Sequence, residues 1–170
     1  MDLVEFLTAR LDEDERAAQA ATPGPWWHNP GKQWLETEAF VTYDLSKGLE
    51  FVGHGGPHPF TGCVAGTGPA DHPQSMADAA HIARHDPARV LAEVDGKRLL
   101  LADHPIQPET YPRPAVGGRE VGGPYFPFGC ANCHAEMDTG EVHGFGYCLT
   151  WKALALPYAS HADYDEAWRP

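Results

Sequence analysis

Basic residues are scarce in this sequence. Lysine and arginine number 12 against 24 acidic residues, which gives a formal net charge of −12. Proteins that bind nucleic acid through its phosphates need clustered lysine and arginine, because each neutralised phosphate contributes through counterion release. The composition therefore disfavours a nucleic-acid-binding protein, and it favours a well-solvated surface or a basic protein partner.

Long apolar runs are also missing. No window approaches the roughly 18 apolar residues that a membrane helix needs. At the N-terminus, acidic residues interrupt the apolar ones in MDLVEFLTARLDEDER, which is unlike a signal peptide. We therefore expect a cytoplasmic protein without a membrane segment. In that reducing compartment the four cysteines indicate metal binding or thiol chemistry rather than disulfide bonds.

The sequence motifs of common enzyme classes are absent. There is no G-x-S-x-G nucleophile elbow, no P-loop, no dinucleotide fingerprint and no H-E-x-x-H pattern. His81 and His85 can share one helical face, but the Asp86-Pro87 step perturbs a helix there. We therefore expect a protein without catalytic residues. The alternative is a metal-dependent hydrolase with a second site around His81, His85 or His54.

The first segment has the pattern of an amphipathic helix. Asp2 is a favourable N-cap, and Pro23-Gly24-Pro25 must end the helix. Between these points, apolar residues recur at helical spacing with acidic residues on the other face. The apolar residues are Leu3, Val4, Leu7 and Leu11.

The next segment, from Trp26 to about Ala65, changes its pattern. Aromatic and β-branched residues stand in short runs between glycine-containing turns, which predicts three or four antiparallel strands. Among the residues in these runs are Trp34, Phe40, Val41, Tyr43, Phe51, Val52 and Val64.

Two helices are predicted between residues 73 and 103. The first is ended by the Asp86-Pro87 step, and Asp86 then caps the second, with Pro87 at its first position. Four apolar residues of the second helix should face the core: Val90, Leu91, Val94 and Leu101.

The 18 glycines and 16 prolines predict many irregular connections. Residues 105–129 are especially rich in both and aperiodic, so we expect a long loop there. A last helix over residues 149–156 ends at Pro157. With 42% apolar residues in 170, the chain is long enough for one domain. We predict a single domain over residues 1–170, with a core over 1–104, the loop over 105–129 and a metal-bound part over 130–170.

The cysteines carry the clearest chemical pattern. Cys130 and Cys133 form a C-x2-C pair, and Cys148 follows at the predicted start of the last helix. Two thiolates on a tight turn and a third at a helix start are common in structural zinc sites. Zinc takes a fourth ligand, and the candidates are His104, His134, His143 and Cys63.

Physical arguments favour His104 as the fourth ligand. His134 directly follows Cys133, where reaching the same ion is awkward, whereas His143 has a convenient spacing five residues before Cys148. A metal at His104 closes a loop of roughly 25 residues, which removes more chain entropy than closing a short hairpin. Structural zinc contributes on the order of 10 kcal/mol to folding. His143 stays open as the replacement.

Several segments together resemble an uncharacterised family of small actinobacterial and actinophage proteins. They are MDLVEFLTARLDEDE at the N-terminus, ATPGPW at 21–26, HIARHDPARVLAEV at 81–94 and LALPYASHADYDEAWRP at 154–170. The resemblance implies no activity. In similar sequences a histidine after the second central helix accompanies a C-x2-C pair and a third cysteine, which here implies the set His104, Cys130, Cys133 and Cys148.

Together these observations predict an α+β fold with an N-terminal helix, a small antiparallel sheet, two central helices and a C-terminal helix held by zinc. We expect one structural zinc ion, bound by Cys130, Cys133, Cys148 and His104. The expected function is that of a non-catalytic accessory or protein-interaction domain, associated with a phage or mobile element. Its expected partner is another protein, and neither nucleic acid nor a membrane.

Overall fold

The computed structural model describes residues 1–28, 49–55, 62–110, 115–116, 119–120, 126–134 and 144–170. The chain divides into two compact units. The terminal unit consists of Met1–Asp12 and Asp95–Pro170, and the central unit is Glu13–Val94. Helices combine with a small antiparallel sheet, so the predicted α+β fold is confirmed. The organisation as one domain stays a prediction.

Helix α1 spans Leu3–Ala20, as the apolar spacing predicts. Its first turn is closed by a reciprocal cap. The Glu5 N–H donates to Asp2 Oδ1 over 2.8 Å, and the Asp2 N–H donates to Glu5 Oε2 over 3.1 Å, which satisfies two N–H groups that the helix leaves free. Leu7 is buried as expected, and so is Phe6, which the predicted apolar face did not include.

The central unit contains an antiparallel sheet of β1 (Trp26–His28), β2 (Leu49–His54) and β3 (Gly62–Pro69), in that spatial order. The middle strand, β2, is the most buried of the three, and both its edges are paired. Gly53 leaves room for a neighbouring ring, since a Cβ there would lie 2.5 Å from the Trp27 side chain. Four residues of the predicted strands lie outside the described residues: Trp34, Phe40, Val41 and Tyr43.

Two helices follow the sheet, α2 (Pro73–Arg84) and α3 (Pro87–Asp103). The predicted cap of α3 is confirmed, because the Arg89 N–H donates to Asp86 Oδ1 over 2.9 Å. The predicted core face of α3 is only partly right. Val94 is fully buried, whereas the other three residues of that face are half-buried: Val90, Leu91 and Leu101.

Short elements occupy part of the region that the sequence predicts to be a long loop. They are β4 (Ile106–Pro108), β5 (Ala115–Val116), β6 (Arg119–Glu120) and β7 (Phe128–Cys130), and the short helix α4 (Ala131–His134) follows that region. β4 pairs antiparallel with β7, and β5 with β6. The expectation of an aperiodic loop over 105–129 is therefore wrong at both ends of that segment. Strands of two or three residues are too short to produce an alternating pattern.

The last helix, α5, spans Leu149–Ala155 and continues into a 3-10 turn at Leu156–Tyr158. It packs in the core of the terminal unit, whose buried members are Leu3, Phe6, Leu7, Cys130, Cys148, Trp151, Ala155 and Trp168. Two of the predicted zinc ligands are thus core residues. Among the described residues, none of the helices combines the length and apolar character that a membrane span requires.

Candidate metal centre

Strand pairing places His104 beside the C-x2-C turn. In the β4–β7 ladder, Ile106 pairs with Cys130. The Ala131 N–H then donates to the carbonyl oxygen of Pro105 over 2.9 Å. These backbone contacts bring the end of α3 to the start of α4, although more than twenty residues of sequence separate the two elements.

A second backbone contact delivers Cys148. Gly146 forms a parallel bridge with Gly129, and its N–H donates to the carbonyl oxygen of Phe128 over 3.0 Å. Gly146 has a φ of 74°, a left-handed conformation that glycine adopts without steric cost. Two residues later, Cys148 stands at the N-cap of α5, where the sequence predicts it.

The four predicted ligands converge on one point. The Nδ1 atom of His104 lies 3.3 Å from the Sγ of Cys133, 3.6 Å from that of Cys130 and 3.9 Å from that of Cys148. All four ligand atoms lie within 4.8 Å of one another. Zinc–ligand bonds of about 2.0–2.3 Å in a tetrahedron place neighbouring ligand atoms roughly 3.5–3.8 Å apart. The group could therefore hold a metal ion with small adjustments.

Hydrogen bonds from neighbouring side chains hold the position of His104. The indole Nε1–H of Trp151 donates to the carbonyl oxygen of His104 over 2.7 Å. The side-chain amide of Asn132, inside the C-x2-C turn, donates to the carbonyl oxygen of Asp103. The second ring nitrogen of His104 lies 3.8 Å from the Asp103 carboxylate. A carboxylate behind a histidine ligand helps to orient its ring.

A model of a family of unknown function, DUF6221, matches residues 1–170. The chain belongs to this family. No curated protein and no solved structure matches the chain significantly. The resemblance to an uncharacterised family is therefore confirmed, and the match includes the middle of the chain, where the quoted motifs gave no support.

Two thiols of the cluster in this DUF6221 protein, those of Cys133 and Cys148, have pKa values shifted in opposite directions. Partial desolvation of its sulfur, together with the neighbouring thiols of Cys130 and Cys148, raises the pKa of Cys133 to about 12. Burial also acts to raise the pKa of Cys148, but the backbone N–H of Trp151 and the other two thiols outweigh it, so this pKa is lowered. Without a cation, the cluster thus favours the thiolate form more at Cys148 than at Cys133, which keeps its proton.

Other candidates for the fourth ligand are placed as follows. Cys63 lies on β3 and is not part of the cluster. His143 and the side chain of His134 lie outside the part of the chain that the structure describes. The structure therefore brings His104 to the cysteines and leaves the comparison with His143 to experiment.

Of the three histidines proposed for the alternative second site, two lie side by side at the end of α2 and the third lies on β2. On α2 the rings of His81 and His85 lie 4.5 Å apart between centroids, and both residues are exposed. His54 is on β2, where its Nε2 would be 2.6 Å from a Cβ at Gly62. Over the described residues, the His104 cluster is the only group of three or more potential metal ligands that the structure brings together.

Two supporting residues escaped the sequence analysis. Asn132 and Trp151 both hydrogen-bond to the end of α3, and neither is a metal ligand. The available signal was their position, since Asn132 lies inside the C-x2-C turn and Trp151 lies one turn after Cys148. Position alone does not tell which carbonyl a side chain will reach.

Proposed function

We propose that this protein binds one structural zinc ion through His104, Cys130, Cys133 and Cys148 and acts as a non-catalytic protein-interaction module. The observation that carries the proposal is the convergence of one imidazole and three thiol groups within 4.8 Å. Following the family resemblance, we place the module among accessory proteins of a phage or mobile element.

The donor set supports zinc as the metal. Three thiolates and one imidazole form a soft, four-ligand environment, which suits Zn²⁺ and is poorly suited to Mg²⁺ or Ca²⁺. The C-x2-C spacing and the separate third cysteine are common in zinc sites whose role is structural.

The number of protein ligands supports a structural role. A catalytic zinc keeps one coordination position for water or substrate, whereas four protein ligands fill the tetrahedron. Two of the ligands, Cys130 and Cys148, also belong to the hydrophobic core of the terminal unit. An ion in this position would stabilise the core itself, by an amount on the order of 10 kcal/mol.

The metal would join three elements of the terminal unit. His104 follows α3, Cys130 and Cys133 form the β7–α4 turn, and Cys148 occupies the N-cap position of α5. Large apolar side chains within a few residues of these ligands in sequence are exposed: Leu99, Leu100, Phe145 and Leu149. Contiguous exposed apolar patches mark sites where a protein partner binds, and we propose that these residues contribute to such a patch. Zinc would thus fix the backbone that presents them.

Elemental analysis tests the proposal directly. Protein purified without added metal should contain close to one equivalent of zinc per chain. Cobalt substitution should give the intense visible absorption of a tetrahedral thiolate site, because tetrahedral geometry relaxes the selection rules for d–d transitions. A folded protein without bound metal would contradict the proposal.

Two histidine variants identify the fourth ligand. His104→Ala should lower zinc affinity strongly, because it opens one coordination position, while His143→Ala should leave affinity unchanged. The reverse pattern would make His143 the ligand. Cys63→Ser is the control for the cysteine variants, since Cys63 lies on β3 and outside the cluster.

The interaction role is tested by affinity capture from the native host. Wild-type protein as bait should retain a protein partner that the Cys148→Ser variant loses.

The hydrolase alternative predicts a different result. It requires a second metal equivalent that is lost on substitution of His81 or His85, and hydrolytic activity that depends on it.

A further inference from the structure

The four ligands differ in their access to solvent. Cys130 is 0% exposed and Cys148 is 5% exposed, and His104 is half-buried. Cys133, in the short helix α4, is an exposed residue. A small solute in water can therefore approach the metal centre along one cysteine, while the other two are shielded by the core of the terminal unit.

We propose that Cys133 is a modification site at which hydrogen peroxide oxidises the metal-binding thiolates, and that this oxidation releases the metal. The inference rests on the proposed function, because it requires an ion held by thiolates. A metal-bound thiolate remains a nucleophile, and reaction with peroxide favours thiolates that solvent can reach. Cys133 is the ligand of this set that meets both conditions.

The reaction consumes one peroxide and two thiolates. The Cys133 thiolate sulfur attacks one oxygen of hydrogen peroxide, the O–O bond breaks, and the products are a sulfenic acid on Cys133 and hydroxide. A second thiolate then attacks the Cys133 sulfur, the S–O bond breaks, and a disulfide and a second hydroxide form. Two electrons pass from the two sulfurs to the peroxide oxygens, and the hydroxides take protons from the buffer.

Cys130 is the second thiolate in this scheme. Cys130 and Cys133 belong to one short turn, the end of β7 and the start of α4, so a bond between them requires adjustment of that turn alone. Cys148 belongs to a separate element, α5, whose start is held by the bridge of Gly146 to Gly129. After oxidation, His104 and Cys148 are the two ligands that remain, and two ligands do not retain zinc against a competing chelator.

The experiment uses the full chain, with its zinc content measured beforehand. Hydrogen peroxide is added in the presence of a chromogenic zinc chelator, and the disulfide is located by mass spectrometry after alkylation of the free thiols. We expect one zinc released per disulfide formed, and a bond between Cys130 and Cys133. A bond between Cys133 and Cys148 would overturn the route through Cys130.

A matched pair of variants separates oxidation at the exposed ligand, Cys133, from oxidation at an exposed cysteine outside the cluster. Cys133→His keeps a zinc ligand at this position but removes its sulfur, so peroxide-driven release should be slower by about tenfold or more. Cys63→Ser removes the exposed cysteine of β3 and should release zinc at the wild-type rate. Equal rates for Cys133→His and wild type would overturn the proposal.

A second measurement does not depend on the folding of any variant. With substoichiometric peroxide, a dicarbonyl reagent that traps sulfenic acids should label the wild-type protein first at Cys133. First labelling at Cys130 or Cys148 would overturn the proposal. A protein with bound zinc that resists peroxide would refute this inference alone, whereas a protein without zinc would refute the proposed function as well.

Discussion

Each cysteine of the cluster meets a different environment, although the sequence presents all three as equivalent ligands. Cys148 stands at a helix start, where the backbone N–H groups of Thr150 and Trp151 favour its thiolate. Cys133 has no such backbone hydrogen bond; although the residue is exposed, partial desolvation of its sulfur and two neighbouring thiols raise its pKa. Burial and backbone dipoles are properties of the fold, so residue spacing predicts the ligands but not their acidity.

This difference predicts a proton count for zinc binding. The pKa of Cys133 in the metal-free cluster is raised to about 12, so its thiol is protonated at neutral pH, whereas the zinc-bound form is a thiolate. Binding must therefore expel at least this proton, and protons compete with zinc. We expect apparent zinc affinity to fall as the pH is lowered.

The release is measured by titrating zinc into weakly buffered protein with a pH indicator, and affinity is measured by chelator competition at several pH values. Cys63→Ser should release as many protons as wild type. An affinity that stays constant as the pH falls would contradict the assignment of Cys133 as a ligand.

Single residues also show where pattern reasoning has limits. Phe6 is fully buried and packs against Tyr158, Tyr164 and Trp168, yet its aromatic partners lie about 150 residues away. Glu50 is fully buried in β2, with Oε1 3.8 Å from His28 Nδ1. A charged residue is normally expected at the surface. The burial of Glu50 becomes understandable only when the fold places His28 beside it.

At the scale of elements, prediction succeeds where the signal is local. The N-cap at Asp2, the stop at Pro23-Gly24-Pro25 and the cap at Asp86 are decided by neighbouring residues, and the structure has α1 and α3 at these places. β4 and β7 have no comparable local signal. Their pairing joins Ile106 to Cys130, and a three-residue strand depends on its partner rather than on its own sequence.

Two segments that carried the family resemblance meet in the central unit. Gly24 belongs to ATPGPW and Asp86 to HIARHDPARVLAEV. A Cβ on Gly24 would lie 2.8 Å from Asp86 Oδ2, while Asp86 Oδ1 accepts the capping hydrogen bond from the Arg89 N–H. Glycine at position 24 therefore allows Asp86 to keep its capping position.

This contact predicts coupled effects on stability. Asp86→Ala should cost about 1 kcal/mol, the usual value of a cap. Gly24→Ala should cost up to about 1 kcal/mol, because the added methyl group displaces the Asp86 carboxylate from its cap. In the Asp86→Ala background the same methyl group meets no carboxylate, so Gly24→Ala should be nearly neutral there.

Chemical denaturation of the two single variants and the double variant measures this coupling. Asp95→Ala is the matched control, since it removes an exposed aspartate from the same helix, and it should change stability by less than about 0.5 kcal/mol. Strictly additive costs of Gly24→Ala and Asp86→Ala would show that the contact does not restrain the cap.

At the scale of the whole molecule, the division into two units changes the expected effect of metal removal. From the sequence, chelation should loosen the C-terminal third and leave the N-terminal helix packed. In the structure, however, Leu3, Phe6 and Leu7 belong to the same buried cluster as Cys130 and Cys148. The first part of α1 should therefore lose its packing together with the metal centre when the metal is removed.

Hydrogen exchange with and without a chelator tests this expectation. Removing zinc should reduce protection in the terminal unit, in residues 1–12 as well as in 95–170, because the buried cysteines would lose the ion that neutralises them. The pairing of β2 with β3 lies in the central unit and contains none of the four ligands, so its protection should change little. Loss of protection confined to residues 130–134 would mean that the ion stabilises only the C-x2-C turn. Equal loss in both units would mean that zinc organises the entire chain, since the two cores would then unfold in one cooperative step.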